Sequence, residues 1–226
     1  MRKTKKSSFI TFLQLARYSN NARTEAVLAG AFLIMAFAME FAMRGKNVVG
    51  GVFLVASAVV ISQQIVGLDN STLVQSSAYK KKLQIHYPYL FLIPTVLVLY
   101  TLLVLVHIWM ISHPVAGMTI SQNYSRQATY ILTLGIYLFL GEIYFGFCYK
   151  YYLQASGILI FAVMPVAGFL NTAMNYDIWA CKSLLFSTIA GYLFVIVGFV
   201  LSVMFSNICY KKPLSITAFK GIWVRK

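Results

Sequence analysis

Charge is the scarcest commodity in this sequence. Of 226 residues only 11% are charged and only five are acidic, against about 25% charged in an average soluble domain. A water-soluble fold of this length needs far more charge on its surface, so a soluble globular enzyme is excluded. A 60% share of apolar and aromatic residues with a mean hydropathy of +0.75 excludes disorder. Cysteine is also sparse. Cys148, Cys181 and Cys209 lie far apart, which leaves neither a disulfide framework nor a Cys-x-x-Cys metal site. The motifs of catalysis are missing: no Gly-x4-Gly-Lys-Ser/Thr that would bind ATP, no His-Glu-x-x-His and no Gly-x-Ser-x-Gly occurs. A cleavable leader is not expected either. Met1–Lys6 is basic, but Ser7–Tyr18 contains no unbroken apolar run, and Asn20, Asn21, Ala22 and Arg23 form no small-residue cleavage site.

The charge that is present is lopsided, 19 Lys and Arg against five acids, a net +14. In a soluble chain that would suggest nucleic acid. In an apolar chain it matches the bases that flank membrane spans on the cytoplasmic side, so no nucleic-acid partner is expected. Crossing about 30 Å of hydrocarbon takes roughly 20 apolar helical residues. Six stretches without an interior Lys or Arg meet that length: 24–43, 48–68, 89–111, 128–149, 155–175 and 184–208. None shows the strict alternation of a barrel strand, and helices satisfy their own backbone in lipid. The expectation is an all-α, polytopic protein of the cell membrane with six transmembrane helices, forming a single transmembrane domain over 1–226. Placing both termini inside puts 15 bases in segments 1–23, 69–88, 150–154 and 209–226 and four in the opposite loops. The positive-inside asymmetry therefore predicts cytoplasmic termini.

Three connecting segments add detail. Phe9, Phe12, Leu13 and Ala16 share one helical face beside Lys3, Lys5, Lys6 and Arg17, the pattern of an amphipathic interfacial helix within 1–23 lying on anionic lipid. In the cytoplasmic loop 69–88, Asp69, Asn70, Ser71 and Thr72 offer helix caps. Leu73–Leu83 can follow as a short helix ending on Lys80, Lys81 and Lys82, with Pro88 where the next helix begins. Such a helix is either a docking surface or a solvated connector. On the opposite side, Pro165 should break or kink the fifth span. Asn171, Asn175, Tyr176, Asp177 and Trp179 suit an interface better than lipid.

Polar residues inside the spans are the candidate functional groups, since a carboxylate in hydrocarbon is costly. Glu142 lies within the fourth span between Gly141 and Gly146 and is a candidate for a translocation path or gate, as are Gln63 and Gln64 in the second. Glu40 has Arg44 at i+4 and reads as a local ion pair. His107 and His113 are six apart, off one helical face, so they read as interfacial packing rather than a metal pair. Ala26/Gly30, Ala38/Ala42, Gly50/Gly51 and Gly191 with Gly198 permit close helix approach. Tyr89, Trp109 and other aromatics near the span ends read as an interfacial belt. No catalytic, cofactor-binding or metal site is expected in this chain.

The arrangement resembles the membrane subunit of a type-2 ABC exporter. The shared features are a basic amphipathic start, six spans, a short helix at Ser71–Leu83 between the second and third spans, and a polar external segment before the sixth. It is similar in compactness to bacterial exporters of amphipathic peptides, the phenol-soluble modulin and bacteriocin-immunity group. The resemblance implies a permease that pairs with a second copy or a homologous subunit. It also implies a separate ABC ATPase subunit that holds ATP and Mg, so that this chain binds no cofactor itself. By the same resemblance Leu73, Val74, Tyr79, Lys80, Lys81 and Lys82 couple to that ATPase, and the cargo is amphipathic or hydrophobic. The alternative is a channel, scaffold or immunity protein not driven by ATP.

Overall fold

In the computed structural model the described residues are 22–54, 56–58, 60, 76, 80–114, 117–148, 150–158, 160–161, 164–175 and 180–212. They are mostly helical, with no strand among them. The helices are α1 (Ala22–Met43), α2 (Val49–Ala58), α3 (Tyr87–Ile111), α4 (Ile120–Cys148), α5 (Tyr152–Ile158), α6 (Met164–Asn175) and α7 (Leu184–Cys209). Four of them, α1, α3, α4 and α7, are long and apolar enough to cross a membrane. The stretch expected at 48–68 is seen as α2, and its continuation lies outside the described residues, as do the interfacial helix within 1–18 and the polar residues 176–179. Within the stretch expected at 155–175, α5 and α6 are described with π-helical residues 160–161 between them, and 159, 162 and 163 lie outside the described residues. Pro165 is the second residue of α6 as described, and the residues just before it, on which the expected break or kink would fall, lie outside the described residues.

Helix α4 is the axis of the bundle. It is buried over most of its length, whereas α1, α3 and α7 bury one side and expose apolar side chains on the other. That pattern suits three helices facing lipid around a fourth. It also explains why α4 begins at Ile120, eight residues before the expected start. Its first two turns are polar, but Asn123 and Gln127 point inward and are almost fully buried. Thr119 Oγ1 accepts from Gln122 N at 3.2 Å while Gln122 Oε1 accepts from Thr119 N at 3.1 Å. That reciprocal capping box starts the helix.

Helix directions follow from which residues touch. In α4 and α7, Gly135 meets Gly191, Glu142 meets Gly198 and Gly146 meets Ser202. The offset is constant, so the two helices run parallel. Segment 150–183 must then return from one end of the bundle to the other, and α5 and α6 form that return. Helix α3 is antiparallel to α4, since Tyr89 lies beside Ser202 and Ser206 while Asn123 Nδ2 donates to Met110 O and Ile111 O at 2.9 and 3.1 Å. Helix α1 ends where α3 ends, through Glu40 and His107. The start of α1 and the end of α7 therefore lie at the same end. Lys80, Lys81, Lys82, Lys150, Lys211 and Lys212 gather there. Lys150 is buried, and its Nζ donates to Tyr210 O at 3.4 Å and to Lys212 O, a cation on the negative end of α7.

In lipid there is no hydrophobic drive between helices, so close packing and interhelical hydrogen bonds hold them together. The seam between α4 and α7 supplies the first through Gly135, Gly146, Gly191 and Gly198. The pairs expected on α1 do not: a side chain added at Gly30 would meet nothing within 4 Å, and Ala26, Ala38 and Ala42 are exposed.

Candidate functional site

The densest polar constellation joins four helices at the end of the bundle marked by the turn after α1. Arg44 and Gly45 take left-handed φ values of 48° and 74°, which end α1 and send the chain back into α2. Gly45 supplies at low cost the conformation a branched residue would resist. Glu40, in the last turn of α1, then faces inward. Its Oε2 lies 3.0 Å from His107 Nε2 of α3, and its Oε1 accepts from the Tyr130 hydroxyl of α4. His107 Nδ1 is 2.5 Å from Gln127 Oε1, and its ring stacks on Tyr130 with centroids 3.9 Å apart. Gln127 Nε2 donates to Arg44 O at 3.1 Å and to Asn123 Oδ1 at 3.3 Å. Helix α2 closes the cluster: Gly50 packs on the Glu40 carboxylate and the Gly51 backbone hydrogen-bonds the Tyr130 hydroxyl. Nearby, Asn171 Oδ1 of α6 accepts from Val48 N at 3.3 Å. Glu40, His107, Gln127 and Tyr130 are each exposed by 1% or less, so bulk water does not reach them.

This corrects two expectations. Glu40 does not pair with Arg44 along its own helix. The left-handed turn carries Arg44 off the helical surface, and the carboxylate goes to the buried imidazole instead. His107 is not interfacial packing, although His113 is: His113 is exposed and stacked on Trp109 with centroids 4.3 Å apart. The spacing rule that separated the two histidines was sound, but only the partner helices reveal which one turns inward. Among the described residues no three His, Cys, Asp or Glu side chains come close enough to hold a metal ion.

A second site lies on the α4–α7 seam. Glu142 is 4% exposed, and among the described residues neither carboxyl oxygen has a hydrogen-bond partner. The carboxyl group lies flat against Gly198, where any side chain would displace it. It therefore faces protein, not lipid, as expected for a costly group. Beside it on the same seam, Tyr89 Oη bonds Ser202 Oγ at 2.6 Å and Ser206 Oγ at 2.8 Å. Tyr89 is thus a buried bridge between α3 and α7 rather than a member of an aromatic belt. An unpartnered carboxyl contributes nothing to folding and carries a desolvation penalty. Glu142→Met, which keeps the side-chain length, should melt in detergent at or above the temperature of the unmodified protein. A clear drop in melting temperature would show that the carboxyl has a structural partner.

Of the other sequence candidates, Gln63, Gln64, Leu73, Val74 and Tyr79 lie outside the described residues. Lys80, Lys81 and Lys82 are helical and stand at the basic end, with Lys81 Nζ 5.5 Å from the Tyr210 ring centre. The structure therefore brings neither Glu142 nor the lysines to the Glu40 cluster. At the cluster's end of the bundle, a surface hollow of about 580 Å³ is lined by Met118, Ser121, Tyr124, Arg126 and Lys182 among others. No protein-family model, no curated protein and no solved structure matches this chain.

Proposed function

We propose that this chain is the permease subunit of an ATP-driven exporter in a bacterial cell membrane. In this reading it crosses the membrane six times with both termini in the cytoplasm. It pairs with a second copy or a homologous subunit, and it moves an amphipathic or hydrophobic cargo with energy from a separate ATPase that carries ATP and Mg. The alternating helix directions support six crossings: α1, α3 and the α5–α6 return run one way, α4 and α7 the other, and α2, which turns back after α1, supplies the sixth.

One observation carries the reading. The helix that begins before α3 does not stop at Pro88 but runs unbroken from Lys80 to Ile111, passing through a π-helical turn at Lys82–His86. A force applied at the basic end is thereby transmitted directly into a membrane helix, without a loop to absorb it. Turns of this type are rare and recur at functional sites. Gln84 lies inside this turn, buried and with its amide unpartnered among the described residues. Lys81 on Tyr210 and Tyr89 on Ser202 and Ser206 tie the same helix to α7, which carries the motion to the seam holding Glu142.

The test is co-purification in detergent with a P-loop ATPase encoded beside this chain, followed by measurement of ATP hydrolysis. The unmodified pair should be recovered together, with hydrolysis stimulated by the permease. Two glycines inserted between Gln84 and Ile85 should leave recovery intact and lower the stimulation on the order of tenfold, the scale of an ordinary coupling energy. Failure of any such ATPase to co-purify would remove the exporter reading.

A further inference from the structure

We propose that the hollow beside the starts of α4 and α7 is a binding site for the phosphate of an anionic phospholipid headgroup, with Arg126 and Lys182 as its cationic contacts. The inference needs only a chain that lies in a bilayer and does not depend on the exporter reading.

The hollow offers about 580 Å³, and its wall is held in place. The segment leading into α7 is fastened to α4 at three points. Ser125 Oγ donates to Cys181 O at 3.2 Å, Cys181 N donates to Thr129 Oγ1 at 2.8 Å, and Leu184 N donates to the Tyr124 hydroxyl at 3.2 Å. Lys182 lies within that fastened segment. Ser121, Gln122, Ser125 and Arg126 fall on one face of α4 and line the same hollow.

Donors dominate what this wall leaves uncommitted. Gln122 Oε1 accepts from Thr119 N and the Tyr124 oxygen accepts from Leu184 N, which leaves the Gln122 amide hydrogens and the Tyr124 hydroxyl hydrogen to be given. Arg126 and Lys182 are donors only. Among the described residues no acid pairs with either: Glu25 lies at the opposite end of the bundle, Glu40 is held by His107 and Tyr130, and Glu142 lies on the α4–α7 seam. Arg44, Lys46, Arg126 and Lys182 are the described bases at this end, so half of them line one hollow. Two cations without a counter-charge, in a concave site with further donors, fit an anion. The positive ends of the parallel helices α4 and α7 face the same side.

Phosphate suits this set. A guanidinium presents a planar fork to two phosphate oxygens, and an ammonium adds a point charge. The surroundings favour a lipid over a free ion. Ile120, Leu185 and Phe186, next to lining residues in the chain, are exposed apolar side chains in the first turns of α4 and α7. A free phosphate gains nothing from them, whereas a phospholipid lays its acyl chains along them while its headgroup enters the hollow. Basic pockets between membrane helices hold acidic headgroups in this way.

The full chain carrying Ser121→Cys and Cys181→Ser reports occupancy. Cys148 and Cys209 are buried and Ser121 is exposed, so a neutral water-soluble maleimide labels the introduced thiol. Its labelling rate would be followed in uncharged detergent as phosphatidylglycerol, phosphatidylcholine or inorganic phosphate is added at matched concentrations. Phosphatidylglycerol should slow labelling at a lower concentration than either of the others. Adding Arg126→Gln and Lys182→Gln should raise the concentration for half protection on the order of tenfold, the scale for losing two part-exposed charge-assisted contacts. Lys211→Gln with Lys212→Gln removes the same charge from the opposite end and should leave that concentration unchanged. If the Arg126 and Lys182 double variant does not fold, Lys182→Gln alone should still raise it roughly threefold. Absence of protection by phosphatidylglycerol would overturn the proposal, as would equal or better protection by phosphatidylcholine or inorganic phosphate. A half-protection point unmoved by the hollow variants, or moved equally by the Lys211 and Lys212 changes, would overturn it as well.

Discussion

His107→Leu should lower stability by about 3–5 kcal/mol, the scale for removing one partner of a buried charged pair. The leucine leaves the Glu40 carboxyl at 1% exposure with only the Tyr130 hydroxyl to satisfy it, and it leaves Gln127 Oε1 without a donor. Glu40→Met should be comparably damaging, because it strands His107 Nε2 and the Tyr130 hydroxyl together. The two changes combined should cost much less than their sum. Replacing both partners by apolar groups removes the desolvation penalty along with the attraction, and side chains in contact do not add. Tyr130→Phe should cost less, about 1–3 kcal/mol, since it removes one hydrogen bond and keeps the ring stacked on His107. Denaturation midpoints in detergent for the two single variants and the double would settle this. Additive losses, or single losses below about 1 kcal/mol, would mean that the cluster is not a coupled pair.

The helices were legible because membrane spans announce themselves by length and apolarity alone. α1, α3 and α7 begin and end within about three residues of the stretches read from the sequence. The start of α4 was not legible. Residues 120–127 are polar and resemble a loop until Asn123 and Gln127 are seen to face inward and satisfy one another. The Glu40 cluster was missed for a related reason. Its members lie at 40, 107, 127 and 130, and sequence spacing only relates residues on the same helix. The i+4 rule paired Glu40 with Arg44, but a left-handed φ at Arg44 cancels the helical geometry on which that rule rests. One signal could have pointed to the cluster: Glu40, His107 and Gln127 are polar residues near the same end of three different helices, and such groups in a membrane need partners. Glu142 was legible as a group that must avoid lipid. The seam it lies on was partly legible too, as glycines. The parallel direction of α4 and α7 follows from the span expected at 155–175 between them, but which residues face each other across the seam is not written in the spacing of either helix.

That register makes Gly135→Ala the most damaging small substitution expected in the chain. A Cβ built on Gly135 would lie 2.6 Å from the Gly191 Cα and 2.9 Å from its carbonyl oxygen. Both are backbone atoms, so no rotamer change relieves the clash, and α4 and α7 must separate. The separation cannot stay local. A Cβ built on Gly146 would likewise lie 2.8 Å from Ser202 O on the same seam, and Tyr100 donates to Ile131 O at 3.2 Å while packing against Gly191. Overpacking of a filled core costs about 1–3 kcal/mol, and a clash between two backbones belongs at the upper end of that range. Gly30→Ala is the control. It is the same chemical change in a helix, but open space surrounds the added carbon, so helix propensity alone should leave stability unchanged or raise it by up to about 1 kcal/mol. Comparing the two variants at equal expression, by melting temperature and by recovery of monodisperse protein in detergent, separates a seam effect from a general intolerance of alanine. Equal behaviour of the two would show that α4 and α7 do not pack backbone to backbone at Gly135.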